Sequence, residues 1–295
     1  MILVEDEIFD NYCQAGAFAA SVLRKGAMEI RPGAPYLEVI EFIEDLAATD
    51  ESGLAFPLNV SLNEDAAHDT ASTGDDRVFA PGDLVKLDLG VHFDGYIADT
   101  AITIDLGNNG LLVDASREAL SRAIEKVRPG ATVGELGFAI QAEIEGRGYR
   151  PIANLTGHGL GRFAVHRPPS IPNIAIQGGA VLEEGMVFAI EPFATTGSGH
   201  VSEKKRVEIF QQISQKPVRL ATARHVLEAV KGRQGMPFAK RWLPPDNKPE
   251  IALATLIRSG VVHAYPVLSD IPGSLVSQHE HTVIVTEDHC VVTTA

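Results

Sequence analysis

KLDLGVHFDGYIADTAITI, residues 86–104, consists of two apolar, β-rich runs around Phe93-Asp94-Gly95, and each run carries one carboxylate, Asp88 and Asp99. Asp-Gly between such runs is a strong short-range hairpin signal. With Asp94-Gly95 as a two-residue loop, Phe93 pairs with Tyr96, and Asp99 lies opposite Gly90, diagonal to Asp88. With Phe93-Asp94 as the loop, Asp88 and Asp99 face each other directly. Opposed side chains lie about 5 Å apart and diagonal ones about 7–8 Å, so both registers put the acids on one face. Two close carboxylates in an apolar sheet repel each other and lose hydration. They must share a proton, meet a cation or point into water. Taken alone, the stretch is also compatible with a solvated hairpin face; the rest of the chain decides.

Asp88 has a counterpart further along. RPGA occurs at 31–34 and again at 128–131. Each copy follows a helical pattern, roughly 5–29 and 114–127, and precedes another, 36–48 and 132–147. The second helices match loosely, YLEVIEFIEDL against TVGELGFAIQAEI. Next come LNVSLNEDAAHD (58–69) and ANLTGHGLGRFAVH (153–166), each an apolar stretch with Asn and a histidine. PGDLVKLD (81–88) then aligns with EGMVFAIE (184–191), with Gly six residues before an acid in both. ADTAITI (98–104) resembles EHTVIVT (280–286), where an acid again lies at the start of a Thr-containing strand, within one residue of register. A duplicated helix–helix–strands unit with acids in step implies two halves facing each other across a pseudo-twofold axis.

Five polar residues then stand out in apolar surroundings: Asp88, Asp99, His158 in NLTGHGLG, Glu191 in FAIEPF and Glu280 in QHEHTVIV. Each has a bland reading by itself. Glu191 before Pro192 reads as a loop carboxylate, Asp88 as surface, and His158 among glycines as a turn residue. Five bland residues at once are hard to reconcile with the repeat. Oxygen-rich sites with some imidazole suit Mn²⁺, Co²⁺, Fe²⁺ or Zn²⁺ rather than a thiolate-bound structural zinc. Four acids exceed the need of one metal and suit two ions about 3.5–4 Å apart that activate a bridging water. His279 and His281 flank Glu280, and strand alternation points both away from it. His225, His263 and His289 have no such context and read as surface.

Bulk properties narrow the class. The 295 residues suffice for one large domain or two small ones, with ordinary content: 45% hydrophobic and 22% charged. A net charge of −14 and a pI near 5.1 argue against a nucleic-acid binder, whose footprint is basic. Lys204-Lys205-Arg206 and the segment 231–241 are the candidate basic patches and read as solvated surface. Cys13 and Cys290 are too few and too distant for a disulfide framework, which points to a reducing compartment. The start, MILVEDEIFD, lacks the basic-then-apolar order of a signal peptide. No run approaches 18 apolar residues, so no membrane span is expected. The chain reads as soluble and cytoplasmic.

The pieces SLNEDAAHDT (61–70), KLDLGVHFDGYIADTA (86–101), NLTGHGLGRFAVH (154–166), FAIEPFATTGSG (188–199) and YPVLSDIPGSLVSQHEHTVIV (265–285) carry a resemblance in their order and spacing. The chain resembles the type 2 methionine aminopeptidases nearly end to end, in the layout of the archaeal form without a long N-terminal extension. The resemblance implies an α+β pita-bread (creatinase/aminopeptidase) fold, a single catalytic domain over 1–295. Two related halves would cup a dinuclear centre holding Co, Mn, Fe or Zn ions. It makes Asp88, Asp99, His158, Glu191 and Glu280 the metal ligands, with Asp99 and Glu280 bridging and Glu191 also shuttling protons. His68 matches the histidine that contacts the reacting end of the substrate, and His166 the one beside the scissile carbonyl. Phe56, Val165 and Tyr265 fall at positions similar to those around the methionine pocket. The segment 200–262, outside the repeat, matches the helical insertion that separates type 2 from type 1.

The implied activity is removal of the N-terminal methionine, favoured before a small second residue. Implied partners are Met-starting peptides and nascent chains, with the ribosome as a candidate; nucleic acid and membrane are not implied, and a monomer is expected. His68 in NEDAAHD also has a plain reading as a loop cap. Departures from the family pattern are Asp69 after the histidine, the loop GHGLGRFAVHRPPS, and Phe193 after Pro192. One rival is an Xaa-Pro aminopeptidase or dipeptidase on the same fold, which would be expected to carry an additional N-terminal domain. Another is a non-catalytic binding protein of that fold, which would be expected to lose ligands.

Overall fold

The computed structural model describes residues 6–245 and 248–295; the first five residues of the acidic start and the middle of the WLPPDNKPE segment lie outside them. Six α-helices occur among the described residues: α1 (Asp6–Ala27), α2 (Tyr36–Ala47), α3 (Gly110–Ile124), α4 (Val133–Gly146), α5 (Ala221–Ala229) and α6 (Pro249–Arg258). Local chemistry accounts for their ends. Thr132 and Glu135 form a reciprocal capping box at the start of α4, which satisfies donors that the first turn leaves unpaired. Arg24 and Lys25 lie in the last turn of α1, where the helix dipole favours cations.

The hairpin is built from strands Leu84–Phe93 and Tyr96–Asp105 and forms a sheet with Ser52–Leu54 and Asn59–Leu62. Of the two registers open to the sequence, the one with Asp94-Gly95 as loop is adopted: Phe93 pairs with Tyr96 and Gly90 with Asp99. Asp94 and Gly95 have φ of 46° and 85°, the conformation that matches the right-handed twist of the flanking strands. Period-2 alternation then sorts the side chains. Val85, Leu87, Leu89 and Val91 are fully buried against the Ala15–Leu23 face of α1 and the Val39–Ala47 face of α2. Each such side chain contributes about 1.5–3 kcal/mol on burial. Lys86, Asp88 and Gly90 are left on the other face.

The second half repeats this plan. Strands Thr156–Gly161, Ala164–Pro172, Val187–Ile190, His281–Val285 and Cys290–Val292 form one sheet, and Phe188, Ile190, Val283 and Val285 pack with α3 and α4. The repeated RPGA motifs do the same work in both halves. Gly33 and Gly130 take left-handed φ of 86° and 82°, which glycine adopts without steric cost. Gly33 N–H donates to Phe79 O and Phe79 N–H to Ala34 O; Gly130 N–H donates to Leu182 O and Leu182 N–H to Ala131 O. The two related strands meet at the axis. Thr100 Oγ1 donates to Glu280 O at 2.9 Å, and its repeat partner Thr282 donates to Asp99 O at 2.8 Å.

A third sheet joins Ser202–Gln212, Val262–Ser269, Phe238–Ala239 and Asp65–Ala67, with α5 and α6 over it. Here the reading of the basic runs as solvated surface is corrected. Lys204 and Lys205 are exposed, but Arg206 reaches Asp69 and Asp75. Arg241 pairs with the buried Glu44 of α2, and Arg233 donates to Ala55 O and Pro237 O. A guanidinium's five donors let it bind several acceptors while partly buried, so these residues tie segment 200–262 to the first half. Both cysteines are free thiols. Among the described residues, no helix is long and apolar enough to cross a membrane.

Candidate metal centre

The ten site residues singled out in the sequence line one cavity of about 550 Å³ between the halves. Asp88 and Asp99 point into it from diagonal positions on the hairpin. Glu280 enters from the opposite side, its backbone bridged to Ala101 through N–H···O bonds of 2.9 and 3.3 Å. His158, on the strand Thr156–Gly161, places Nε2 at 3.7 Å from Asp99 Oδ2 and 3.5 Å from Glu191 Oε1. Asp99, His158 and Glu280 each offer a ligand atom within 4.8 Å of the others. His279 and His281 bond instead to Ser116 and Thr294 at 2.8 Å, pointing away from the cavity as alternation requires.

The electrostatics call for a cation. Burial is the first cause that raises each of the four carboxyls; Asp88 reaches about 7, and Asp99, Glu191 and Glu280 are raised further by their neighbours' negative charge. Burial also pushes His158 down to about 3, with His166 adding to the effect, so its imidazole is neutral and free to ligate. Asp88 Oδ1 and Asp99 Oδ1 are buried without a hydrogen-bond partner. Unpartnered buried carboxylate oxygens are costly. Several oxygens and one neutral imidazole form a donor set that fits divalent metal.

His166 and His68 flank the carboxylates. The His166 ring packs edge-on to His158 at 4.5 Å between centroids, and both His166 and His68 lie against Tyr265. Burial lowers His166 and brings His68 to about 4, so both are neutral near pH 7. Beyond them the cavity turns apolar, walled by Phe56, Val165, Ile209, Pro237 and Tyr265. The Phe56 ring packs against Gly90, where an added Cβ would come within 2.2 Å of it. His225, His263 and His289 are exposed, but the His263 ring packs edge-on against Tyr265 at 4.7 Å between centroids, which its sequence context did not suggest.

Gln278 and the walls Ile209 and Pro237 were not among the residues singled out. Gln278 Nε2 donates to Asp88 Oδ2 and Glu280 Oε2, both at 3.4 Å. The signal was there: Gln278 lies two residues before Glu280, hence on the same face of an extended strand. Ile209 and Pro237 carry no polar mark, and apolar residues of segment 200–262 read as ordinary core.

The profile of metallopeptidase family M24 matches residues 10–287. A methionine aminopeptidase of Archaeoglobus fulgidus is 48% identical over 292 residues, covering 99% of this chain and 100% of the relative. Among solved structures, a methionine aminopeptidase from Thermotoga maritima matches with a TM-score of 0.73 at 25% identity, covering 100% of this chain and 98% of that one. A thermophilic Arx1 matches with a TM-score of 0.86 at 19% identity, covering 99% of this chain and 91% of that one, a likeness of fold alone.

Proposed function

The chain belongs to metallopeptidase family M24, and from that premise we infer that it removes the N-terminal methionine from polypeptides by metal-dependent hydrolysis. Its two related halves form the pita-bread fold of that family. The observation that carries the reading is four carboxylates and one imidazole converging beside an apolar slot, in a chain 48% identical end to end to a methionine aminopeptidase. We assign the type 2 form, with 1–295 as one catalytic domain and 200–262 as its helical insertion.

Asp88, Asp99, His158, Glu191 and Glu280 would hold two divalent ions, from Co, Mn, Fe or Zn. Bound there, such ions supply a Lewis acid and a water acidic enough to give hydroxide near neutral pH. The chain's own groups do the rest. Glu191 would take the proton from the attacking water and return it to the leaving amine. Neutral His166 donates a hydrogen bond to the carbonyl oxygen as negative charge develops, and His68 contacts the reacting end of the substrate. Phe56, Val165 and Tyr265 enclose the methionine side chain, and a tight fit beyond favours a small second residue. The substrates are Met-starting peptides and nascent chains, met at the ribosome, by a cytoplasmic monomer.

The test is hydrolysis of Met-Ala-Ser and Ala-Pro-Ala by metal-stripped protein, before and after Co²⁺ or Mn²⁺. Metal-restored release of Met alone, abolished in Glu191→Ala and Glu280→Ala, is expected. Preferential cleavage of Ala-Pro-Ala would move the chain to Xaa-Pro peptidases. Metal binding without turnover of either peptide would make it a binding protein.

A further inference from the structure

Asp69, one of the departures from the family pattern, is 1% exposed and directly follows His68. It sits in a closed array of two acids and two guanidinium groups. Arg77 Nη1 donates to Asp69 Oδ2 at 2.5 Å, and Arg206 Nε donates to Asp69 Oδ1 at 3.0 Å. Both arginines also bind Asp75, at 2.8 and 3.0 Å, and both donate to Thr70 O, at 3.3 and 2.9 Å. Arg77 in turn lies 3.9 Å over the Tyr36 ring. The charges balance within the array, so its burial leaves no net charge uncompensated.

His68 is held between fixed neighbours. On one side Ala67 pairs with Leu268; on the other Asp69 O accepts from Val60 N–H at 2.8 Å while its carboxylate is clamped. Between them His68 has a φ of 66°, a left-handed backbone uncommon for any residue but glycine, which persists where the surroundings over-determine it. That conformation turns the imidazole into the cavity, with Nδ1 at 3.3 Å from Pro266 O and the ring edge-on to Tyr265 at 5.3 Å. Arg206 belongs to the strand Ser202–Gln212, which pairs with Val262–Ser269, the strand bearing Tyr265 and Pro266. The clamp therefore fixes His68 against the wall it touches.

We propose that Asp69, held by Arg77 and Arg206, is a positioning residue that sets the orientation of His68 in the cavity, and through it the rate of methionine removal. The proposal rests on the reading of His68 as the substrate-contacting histidine. Asp69→Asn leaves two guanidinium groups with one acid and loosens the side-chain clamp beside His68, while the Val60 N–H bond to residue 69 O stays. Since a misplacement of about 1 Å costs up to about 100-fold, a loss of about tenfold in kcat is expected, with KM within about twofold. In a His68→Ala background the same substitution should change kcat by less than about twofold, because the group it positions is gone.

A second readout does not use activity. In protein labelled with ¹⁵N-histidine, the His68 ring resonance is assigned by its loss in His68→Ala. Asp69→Asn should shift or broaden it while leaving those of His92 and His279 in place. If Asp69→Asn does not fold, Arg206→Lys, which keeps charge but loses the fork, takes its place with the same readouts. Equal kcat losses in both backgrounds, or an unmoved His68 resonance, would overturn the proposal. Should the wild type release no methionine, the functional reading fails while the spectrum still decides whether Asp69 positions His68.

Discussion

Gln278 is the residue through which the metal centre is best probed without removing a ligand. Its side chain is 1% exposed, and its backbone is pinned by Thr103, whose Oγ1 donates to Gln278 O at 2.7 Å and accepts from Gln278 N–H at 2.8 Å. The amide is thus aimed at Asp88 and Glu280 before any metal arrives. A hydrogen bond to a charged acceptor is worth about 1.5–3 kcal/mol, and the 3.4 Å lengths place both bonds at the weak end. Partners that orient metal ligands typically account for about 10–100-fold in affinity, or about 1.4–2.7 kcal/mol. Gln278→Leu should therefore weaken Mn²⁺ binding by about 10–100-fold, measured by calorimetric titration of metal-stripped protein at pH 7. The pH dependence adds a second constraint. Burial holds the Asp88 carboxyl near 7, and the Gln278 amide works against that rise. Without the amide the carboxyl rises further and protons compete longer with metal, so the loss should be larger at pH 6.5 than at 8.5. A dissociation constant within twofold of wild type, in a variant that still unfolds cooperatively, would refute the idea that this amide prepares the ligands.

Removing the metal should make stability fall with pH. Asp88 is moved from an ordinary 3.8 to about 7, and Asp99, Glu191 and Glu280 are also raised. Their protonated forms are favoured in the fold, so the stabilisation is complete below about pH 4 and is lost as pH rises through 7. The buried histidines, held low, act in the opposite sense up to about pH 6.5, so melting of metal-stripped protein between pH 7 and 8.5 should show the decline, and saturating Mn²⁺ should remove it; a flat profile there would contradict the crowding of acids. Arg233 holds Ala55 O and Pro237 O at 3.1 and 2.7 Å, next to the slot walls Phe56 and Pro237. Arg233→Met should raise KM for Met-Ala-Ser by about tenfold, about 1.4 kcal/mol, with kcat nearly unchanged, which steady-state kinetics would check. Glu44 accepts from Arg241, from Trp242 Nε1 at 3.0 Å and from Leu58 N–H at 3.1 Å. Glu44→Ala strands the buried Arg241 and should cost about 3–5 kcal/mol in urea unfolding, whereas a cost below about 1 kcal/mol would mean that the pair does not anchor segment 200–262.

How much of this was legible in the sequence depends on the range over which each feature is decided. The hairpin and the shared face of Asp88 and Asp99 follow from the Asp-Gly signal and period-2 alternation, both local. The choice between the two registers was not legible from the strands, because both place the acids on one face. It is set by the turn, where Asp94 and Gly95 both take positive φ. The repeat then extended local reading across the chain. Gly82 and Gly185, six residues before Asp88 and Glu191, take left-handed φ of 93° and 84°, each at the turn into the strand that leads to its acid.

What stayed hidden is what pairs across long separations without a mark on its own residue type. A charged run predicts exposure only if its partners are water. Arg206, Arg233 and Arg241 instead find Asp69, Ala55 O and Glu44 at more than a hundred positions' distance along the chain, and no periodicity encodes that. Gln278 is half legible: its step of two from Glu280 is local, but its bond to Asp88 spans 190 positions. The repeat shows why the acids nevertheless could be read. Thr100 and Thr282 occupy equivalent places, and each donates to the backbone of the other's acid-bearing strand. The same residue type at the same step makes a cross-bond from each half. The axis therefore leaves its trace in the sequence, and the acids beside it, Asp99 and Glu280, are brought to one cavity by the contacts that produce the trace.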